Sequence, residues 1–320
     1  MNAPILATPA PTVGVEIAPD AVTAVSIAHR GPLPVVTAWA TEPLPAGAVT
    51  AALNATNITD RAAVGAALGR AFGRLAAQPR RIALVIPDSV AKVSLVRFDK
   101  VPSRADDLAQ LVRYQVRKTA PFRIEDAQVS YAPGAESTDG GREFVVTLAR
   151  RDIVQEYEAV SSAAGAHAGL VDLATFNVIN AVLAGQGPAG GDWLLVHVTP
   201  AYATLAIMRG GDLIFYRNRA EEAEGSLADL THQTAMYYED RLGGSGFARV
   251  LLVGGSAADR EAGLRDGGLL RRTLEERLSA RVELIDGARL ASFADRISVD
   301  QATIDELAPI VGMLSRVWSA

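Results

Sequence analysis

The chain has 320 residues and no cysteine, which excludes a disulfide framework, a thiol nucleophile and a cysteine-ligated zinc site. It also has no apolar run near the roughly 20 residues that a membrane-spanning helix needs. Residues 1–12 carry neither a basic segment nor a long apolar core, so we expect a flexible arm and not a signal peptide. The lack of an export signal favours the cytoplasm.

Lysine occurs only three times, at Lys92, Lys100 and Lys118, and the net charge is −5. This balance argues against nucleic acid as a partner, because such affinity comes from neutralising phosphates. The four histidines have no metal-ligand spacing, and we find no Walker, nucleophile-elbow or zinc-protease pattern. The sequence therefore predicts no metal site and no catalytic residue. Its hydrophobic content of 49% and its length suit two ordinary globular domains.

Two distant segments share one pattern. Residues 15–23 read Val-Glu-Ile-Ala-Pro-Asp-Ala-Val-Thr, and residues 196–204 read Val-His-Val-Thr-Pro-Ala-Tyr-Ala-Thr, at a constant offset of 181 residues. In each copy an apolar strand enters a tight turn, a second strand follows, and a glycine-containing hairpin leads to a third strand. The repeated unit predicts two related α/β domains.

This layout resembles the group of actin, Hsp70 and the sugar kinases, in which the first turn of each copy binds nucleotide phosphates. In that group the turn is typically Asp-x-Gly, whose carboxylate organises a hydrated metal ion and whose glycine lets backbone N–H groups approach phosphate. In the first copy of this chain, the positions of the acid, the glycine and the following residue hold Glu16, Ala18 and Pro19. In the second copy the same positions hold His197, Thr199 and Pro200. Proline has no N–H to donate, so we expect nucleotide binding to be weak or lost and hydrolysis to be lost.

A third segment of the same resemblance is Gly254-Gly255-Ser256, which follows a predicted strand and matches the adenosine-side motif of that group. The alternative is a tight strand-to-helix turn without a ligand. For His197 the alternative is a buried residue whose ring nitrogens are satisfied by the core. If ATP with magnesium binds, the resemblance implies a site formed by Glu16, Ala18, Pro19, Asp20, His197, Thr199, Gly254, Gly255 and Ser256.

The segment at about 90–148 reads as strand, helix, strand, strand, with a loop predicted at 133–141. It predicts a small α+β insert inside the first domain. We therefore predict a first domain over residues 13–192, a second domain over 193–303, and a C-terminal helix over 304–320 that returns to the first domain. A glycine-rich linker, residues 185–191, precedes the second copy.

Two predicted helices carry further patterns. A helix at about 59–77 has Gly65, Gly69 and Gly73 at four-residue spacing, which we expect to permit close packing on the sheet. The helix of the insert has a basic stripe consisting of Arg113, Arg117 and Lys118, followed by Arg123. This stripe is either a solvated face or a surface for an acidic partner or an anionic membrane.

The insert and its flanks carry a more specific resemblance, to the PilM-type type IV pilus assembly proteins. The motifs that resemble this family are, in order, Pro87-Asp88-Ser89-Val90, Val101-Pro102-Ser103, Leu111-Val112-Arg113-Tyr114-Gln115, Ala120-Pro121-Phe122, Val129-Ser130-Tyr131, Leu170-Val171-Asp172 and Val253-Gly254-Gly255-Ser256. The resemblance spans about residues 13–315, and the order of the motifs carries it more than any one of them.

The resemblance implies an α/β, FtsA/actin-like two-domain fold and a non-enzymatic scaffold at the cytoplasmic face of the inner membrane. It implies a cytoplasmic N-terminal tail of a PilN-type membrane protein as the partner, with pilus motor ATPases, platform proteins and self-association as further interactions. In the family the tail lies in a groove between the first domain and its insert. From this we predict a partner-binding region containing Leu108, Leu111, Val112, Gln115, Phe122 and Tyr131.

Two other functions stay open at this point. Members of the family generally bind ATP, so an active actin-like ATPase or ATP-dependent switch is one alternative. The other is the cytoplasmic domain of a GspL-type type II secretion protein, which shares the fold. Such a protein should continue into a transmembrane helix, whereas this chain ends directly after its last predicted helix, so we expect a free-standing protein.

Overall fold

The computed structural model of the protein describes residues 10–29, 31, 33–136, 140–187, 190–220, 225–255, 268–294 and 299–319. Most of the predicted N-terminal arm therefore lies outside the described residues.

The described chain alternates strands and helices. The strands are β1 (Val13–Ile17), β2 (Ala21–His29), β3 (Pro34–Pro43), β4 (Arg81–Ile86), β5 (Ala91–Phe98), β6 (Ala127–Glu136), β7 (Arg142–Arg150), β8 (His167–Leu173), β9 (Asp192–Val198), β10 (Tyr202–Arg209), β11 (Asp212–Ala220), β12 (Arg249–Val253), β13 (Val282–Leu284) and β14 (Ser292–Phe293). The helices are α1 (Arg61–Arg74), α2 (Ala105–Val116), α3 (Arg151–Ala163), α4 (Ala174–Gln186), α5 (Leu227–Leu242), α6 (Gly268–Leu278), α7 (Gly287–Leu290) and α8 (Gln301–Ser319).

The strands form three sheets. The first sheet has the order β14-β3-β2-β1-β4-β8 and the second has the order β11-β10-β9-β12-β13. In each of these, three antiparallel strands are followed by strands that run parallel to the first of the three. The third sheet, β5-β7-β6, is antiparallel and belongs to the insert.

The repeat in the sequence is a repeat in the structure. Equivalent contacts occur in the two copies at the offset of 181 residues. Glu16 pairs with Thr23 in the first copy, and His197 pairs with Thr204 in the second. In the turns, the N–H of Ala18 donates to the carbonyl of Ala21 and the N–H of Thr199 donates to the carbonyl of Tyr202, both at 2.9 Å. The predicted duplication is therefore confirmed down to the hydrogen bonds of the two turns.

The two large sheets share a hydrophobic core. Helices α1 and α3 cover one face of the first sheet, and α4 and α8 cover the other. The core around α4 and α8 continues into the second sheet through Trp193, Leu195 and Met208. Helices α5 and α6 pack on the outer face of the second sheet. A continuous apolar core therefore joins the two domains.

The C-terminal helix α8 packs against α4 and against β1, β2 and β4 of the first sheet. The strand β14, which precedes it, pairs with β3. The chain thus rejoins the first sheet before residue 303, earlier than the domain boundary predicted from the sequence. Two short elements, α7 and β14, make this return, and their sequence carries no periodic pattern long enough to reveal them.

The insert consists of the third sheet and α2, with the side chains of Val112, Val116, Phe144, Val146 and Leu148 at its core. Its strand β6 continues to Glu136, so the first four residues of the loop predicted at 133–141 are strand. Pro133 lies inside β6, which a strand can accept at the edge of a sheet because no neighbour needs its N–H.

The glycines of α1 do not pack on the sheet, contrary to the prediction. No atom lies within 4 Å of the position that a Cβ would take at Gly65, Gly69 or Gly73. The buried face of α1 is formed instead by Val64, Ala67, Leu68, Ala71 and Phe72. The four-residue spacing of glycine therefore marks the solvent side of this helix.

Candidate functional site

A cleft between the two domains holds both repeated turns. Its cavity has a volume of about 250 Å³. Most of the nucleotide-site residues predicted from the sequence line this cavity, namely Glu16, Ala18, Pro19, Asp20, His197, Thr199 and Gly254. Gly255 is buried against Leu252 and is not part of the lining, and Ser256 lies outside the described residues.

In the second turn, backbone N–H groups form hydrogen bonds within the turn itself. The hydroxyl of Thr199 accepts hydrogen bonds from the N–H groups of Ala201, at 3.3 Å, and Tyr202, at 3.1 Å. Pro200, between them, has no N–H. In the first turn the N–H of Ala18 is bonded to the carbonyl of Ala21 and Pro19 follows. These turns therefore offer few of the backbone N–H groups on which phosphate binding in such loops depends.

The lining of the cleft is acidic. It contains the carboxyl groups of Glu16, Asp20, Asp305 and Glu306, and its described residues include no lysine or arginine. The carboxylate of Glu306, on α8, accepts hydrogen bonds from the hydroxyls of two threonines of the first sheet, Thr23 and Thr41. Two hydroxyl groups that face this cavity are thus already hydrogen-bonded to a carboxylate of the protein.

Among the described residues that line the cleft, no lysine or arginine balances the charge of Glu16. Burial raises the pKa of Glu16 to about 8, and the nearby carboxylates of Glu306, Asp88 and Asp20 add to the shift. At neutral pH this side chain is therefore mostly protonated. A triphosphate bound in the cleft would be repelled by the negative charges of Asp20 and Glu306, which lie near Glu16.

A buried polar network joins the two domains next to the cleft. The carboxylate of Asp88, which is 0% exposed, accepts a hydrogen bond from the N–H of Thr175 at 3.0 Å and others from the hydroxyls of Thr175 and Thr204. The Thr175 hydroxyl lies 2.7 Å from Nδ1 of His197. Because that hydroxyl donates to Asp88, Nδ1 of His197 carries the proton.

Nδ1 of His197 is therefore hydrogen-bonded within the core, although the residue also lines the cleft. Its ring is buried, and burial lowers its pKa, so that it is neutral at pH 7. Sequence reasoning noticed the Pro87-Asp88-Ser89 motif as a family signal but missed that Asp88 is the centre of the contact between the domains. An acid directly after a buried strand was the signal that could have revealed it.

Gly254 is needed for a backbone reason. Its φ is +91°, and a Cβ at this position would lie 1.8 Å from the carbonyl oxygen of Val198. The glycine therefore lets the end of β12 approach the end of β9. This contact accounts for the glycine at this strand end without a ligand.

A larger groove lies between the first domain and the insert, with a volume of about 980 Å³. Its walls are formed by β8, α3 and α4 from the first domain, by β6 and β7 from the insert, and by the start of β11 with Arg316 of α8. The α4 wall is mostly apolar, with Phe176, Ile179 and Leu183 beside Asn180. The α3 wall is mostly polar, with Arg151, Gln155 and Glu158 beside Val154.

The residues predicted to bind the partner lie mostly on the other side of the insert. Val112 is fully buried in the insert core, and Leu108, Leu111 and Phe122 pack against that core. Gln115 is exposed on α2. Of the six, only Tyr131 lines the groove. The insert lines the groove with residues 130–134 of β6 and with alternate residues of β7, namely Val145, Thr147 and Ala149. Apart from Tyr131, the sequence reasoning did not select these residues.

The described residues contain neither a membrane-spanning helix nor a cluster of metal-binding side chains. No described helix is both long and apolar enough to cross a membrane. Within the same residues, no group of three or more histidine and carboxylate side chains is placed to hold a metal ion.

The fold is similar to that of solved structures. The chain superposes on a chain of the PilM–PilN type IV pilus biogenesis complex with a TM-score of 0.79 and 16% identity, covering 96% of this chain and 98% of that one. Two weaker matches both have a TM-score of 0.48. One is a Bacteroides thetaiotaomicron protein with an actin-like ATPase fold, at 10% identity and covering 93% of this chain and 94% of that one. The other is the cytoplasmic domain of EpsL, an inner membrane component of the type II secretion system of Vibrio cholerae, at 9% identity and covering 92% of this chain and 93% of that one.

The fold is the α/β, actin-like two-domain class with an insert in the first domain that the sequence predicts. A family model described as type IV pilus assembly protein PilM matches residues 14–242, which is more than half of the chain. The chain therefore belongs to the PilM family of type IV pilus assembly proteins.

Proposed function

We propose that this protein is a cytoplasmic scaffold of a type IV pilus assembly platform that binds the N-terminal tail of a PilN-type membrane protein. The observation that carries the proposal is the groove of about 980 Å³ between the first domain and the insert. It is large enough for several residues of an extended chain, and it combines an apolar wall with a polar one. The PilM–PilN complex, to which the fold is similar, supports the choice of partner.

The scaffold works without a nucleotide in this proposal. The support comes from the cleft. Two prolines lack an N–H group, and the backbone N–H groups of the second turn bond to the hydroxyl of Thr199. Four carboxyl groups line the cleft where a phosphate site would have cationic groups. Mg-ATP binding and hydrolysis are both lost in this account, which sets aside the active ATPase alternative. The protein then reaches the inner membrane through its partner and stands in contact with platform and motor proteins.

The test is calorimetric titration with a synthetic peptide of the N-terminal tail of the PilN-type protein from the same organism. Ala132 is exposed and lines the groove, so Ala132→Trp should fill it and weaken tail binding at least tenfold. Gln115, exposed on α2, is the matched control, and Gln115→Trp should leave the affinity unchanged. Loss of binding in the Gln115 variant with retention in the Ala132 variant would move the site to the α2 face and overturn the proposal.

A further inference from the structure

The groove runs along the outer edges of β8 and β6, and it also covers part of one face of the insert sheet, where Val145, Thr147 and Ala149 of β7 line it. It is lined by every residue from 168 to 173 on β8 and by every residue from 130 to 134 on β6. Successive side chains of a strand point to opposite faces of its sheet. A cavity that contacts each successive residue must therefore lie beside the strand, where the backbone N–H and C=O groups point.

Both strands end their sheets. Within the described part of the chain, β8 pairs only with β4 and β6 pairs only with β7. Their outer edges thus face the groove from opposite sides. An edge strand presents a row of backbone groups that can pair with another extended chain, and proteins usually block such edges with proline, lysine or a covering segment.

The two edges differ in how well they can accept another strand. β6 carries Pro133, which has no N–H, within the stretch that lines the groove. β8 has no proline or lysine from residue 167 to residue 173, and its one carboxylate, Asp172, is paired with Arg316 at 2.6 Å. The pairing of β8 with β4 shifts register around Gly169, so the regular part of its edge is residues 170–173.

The walls above and below this edge have different chemistry. A strand added beside β8 would continue the first sheet, so its side chains would point alternately to the two faces of that sheet. The face on the α4 side is mostly apolar, with Phe176, Ile179 and Leu183 beside one polar residue, Asn180. The face on the α3 side carries Arg151 and Glu158. The groove therefore fits a peptide whose residues alternate between apolar and polar.

We propose that the tail binds by strand addition, as a seventh strand hydrogen-bonded to the outer edge of β8. Its apolar side chains enter the α4 wall, and its alternate polar side chains face α3. This inference rests on the proposed function, because the occupant is the same tail in the same groove. It adds that recognition depends on the backbone of the tail and on a two-residue period in its sequence.

The test is a backbone N-methyl scan of the tail peptide, with each variant titrated calorimetrically into the protein. In a paired strand only every second residue points its N–H toward the neighbouring strand. Methylation at those residues should weaken binding at least tenfold, while methylation at the intervening residues should have a much smaller effect. Hydrogen exchange of the complex should slow at amides within residues 170–173 of β8.

The outcomes separate the two claims. If the unmethylated peptide does not bind, the proposed function fails and this inference fails with it. If it binds but the methyl scan shows no two-residue period, strand addition is wrong and the tail is held by its side chains alone. If the scan is periodic but protection falls on residues 128–132 of β6 and not on β8, the tail pairs with the insert and the assignment to β8 is overturned.

Discussion

At the scale of single residues, Glu16 is the side chain at which burial and charge are in strongest conflict. Its pKa rises from 4.5 to about 8 because it is buried and because three carboxylates lie nearby. Folding therefore takes up a proton at Glu16 between these two pH values. Since the folded state then holds more protons than the unfolded state, this group makes the protein less stable as the pH rises from about 4.5 to about 8.

We expect Glu16→Gln to remove this dependence. The variant should gain little over the wild type near pH 5 and should gain on the order of 2 kcal/mol in free energy of unfolding near pH 8. Urea unfolding at a series of pH values measures the difference. Glu239→Gln, at an exposed glutamate on α5, is the control and should show no such trend. A gain from Glu16→Gln that does not change with pH would mean that Glu16 is already ionised in the folded protein.

Asp88 is expected to be the most costly polar residue to remove. Asp88→Ala would leave the N–H of Thr175 and two buried hydroxyls without their acceptor, which should lower the free energy of unfolding by about 3 kcal/mol. Asp20→Ala, at an exposed acid of the same cleft, should change it by less than about 0.5 kcal/mol. Equal losses in the two variants would show that the network around Asp88 does not hold the domains together.

At the scale of secondary structure elements, two glycines in helices have opposite roles. Gly69 on α1 faces open solvent, so Gly69→Ala should raise the free energy of unfolding by about 0.5–1 kcal/mol. Gly312 on α8 faces α4, where a Cβ would lie 1.9 Å from the carbonyl of Asn177, so Gly312→Ala should lower it by about 1–3 kcal/mol. Thermal unfolding of both variants checks this. A shift in the same direction for both would contradict the packing of one of the two helices.

Helices α1 and α2 show where sequence reasoning reaches its limit. A regular spacing of glycine on α1 suggested close packing, but spacing alone does not say which face of a helix is buried. On α2 the apolar face around Leu108 and Val112 was assigned to a partner, whereas the insert uses that face for its own core. An apolar helix face predicts that something covers it, and the sequence does not distinguish the sheet of the same chain from a second protein.

The elements with a strong local signal were predicted well. The strand repeat was predictable because its turns repeat residue by residue, and the insert because its helix and strands have clear periods. The groove was not predictable in detail, since residues 128–134, residues 168–173 and the helices α3 and α4 meet only in the folded chain. Asp88 and Thr204 likewise lie 116 residues apart in sequence and bond directly in the structure.

At the scale of the whole molecule, the cleft and the groove lie on two sides of one contact between the domains. The Asp88 network joins the start of the insert, the start of α4 and the second sheet, and the shared core around α4 and α8 lies beneath it. The same elements form the walls of the groove. In our account the fixed packing of the two domains, and not a bound nucleotide, gives the groove its shape.

The most direct test of this account is a calorimetric titration of the wild-type protein with the tail peptide, repeated with and without saturating Mg-ATP. We expect the same dissociation constant under both conditions, and no heat of binding when Mg-ATP is titrated alone. Tail binding that requires Mg-ATP, or that changes at least tenfold in its presence, would contradict the account, because the cleft would then bind nucleotide and control the groove.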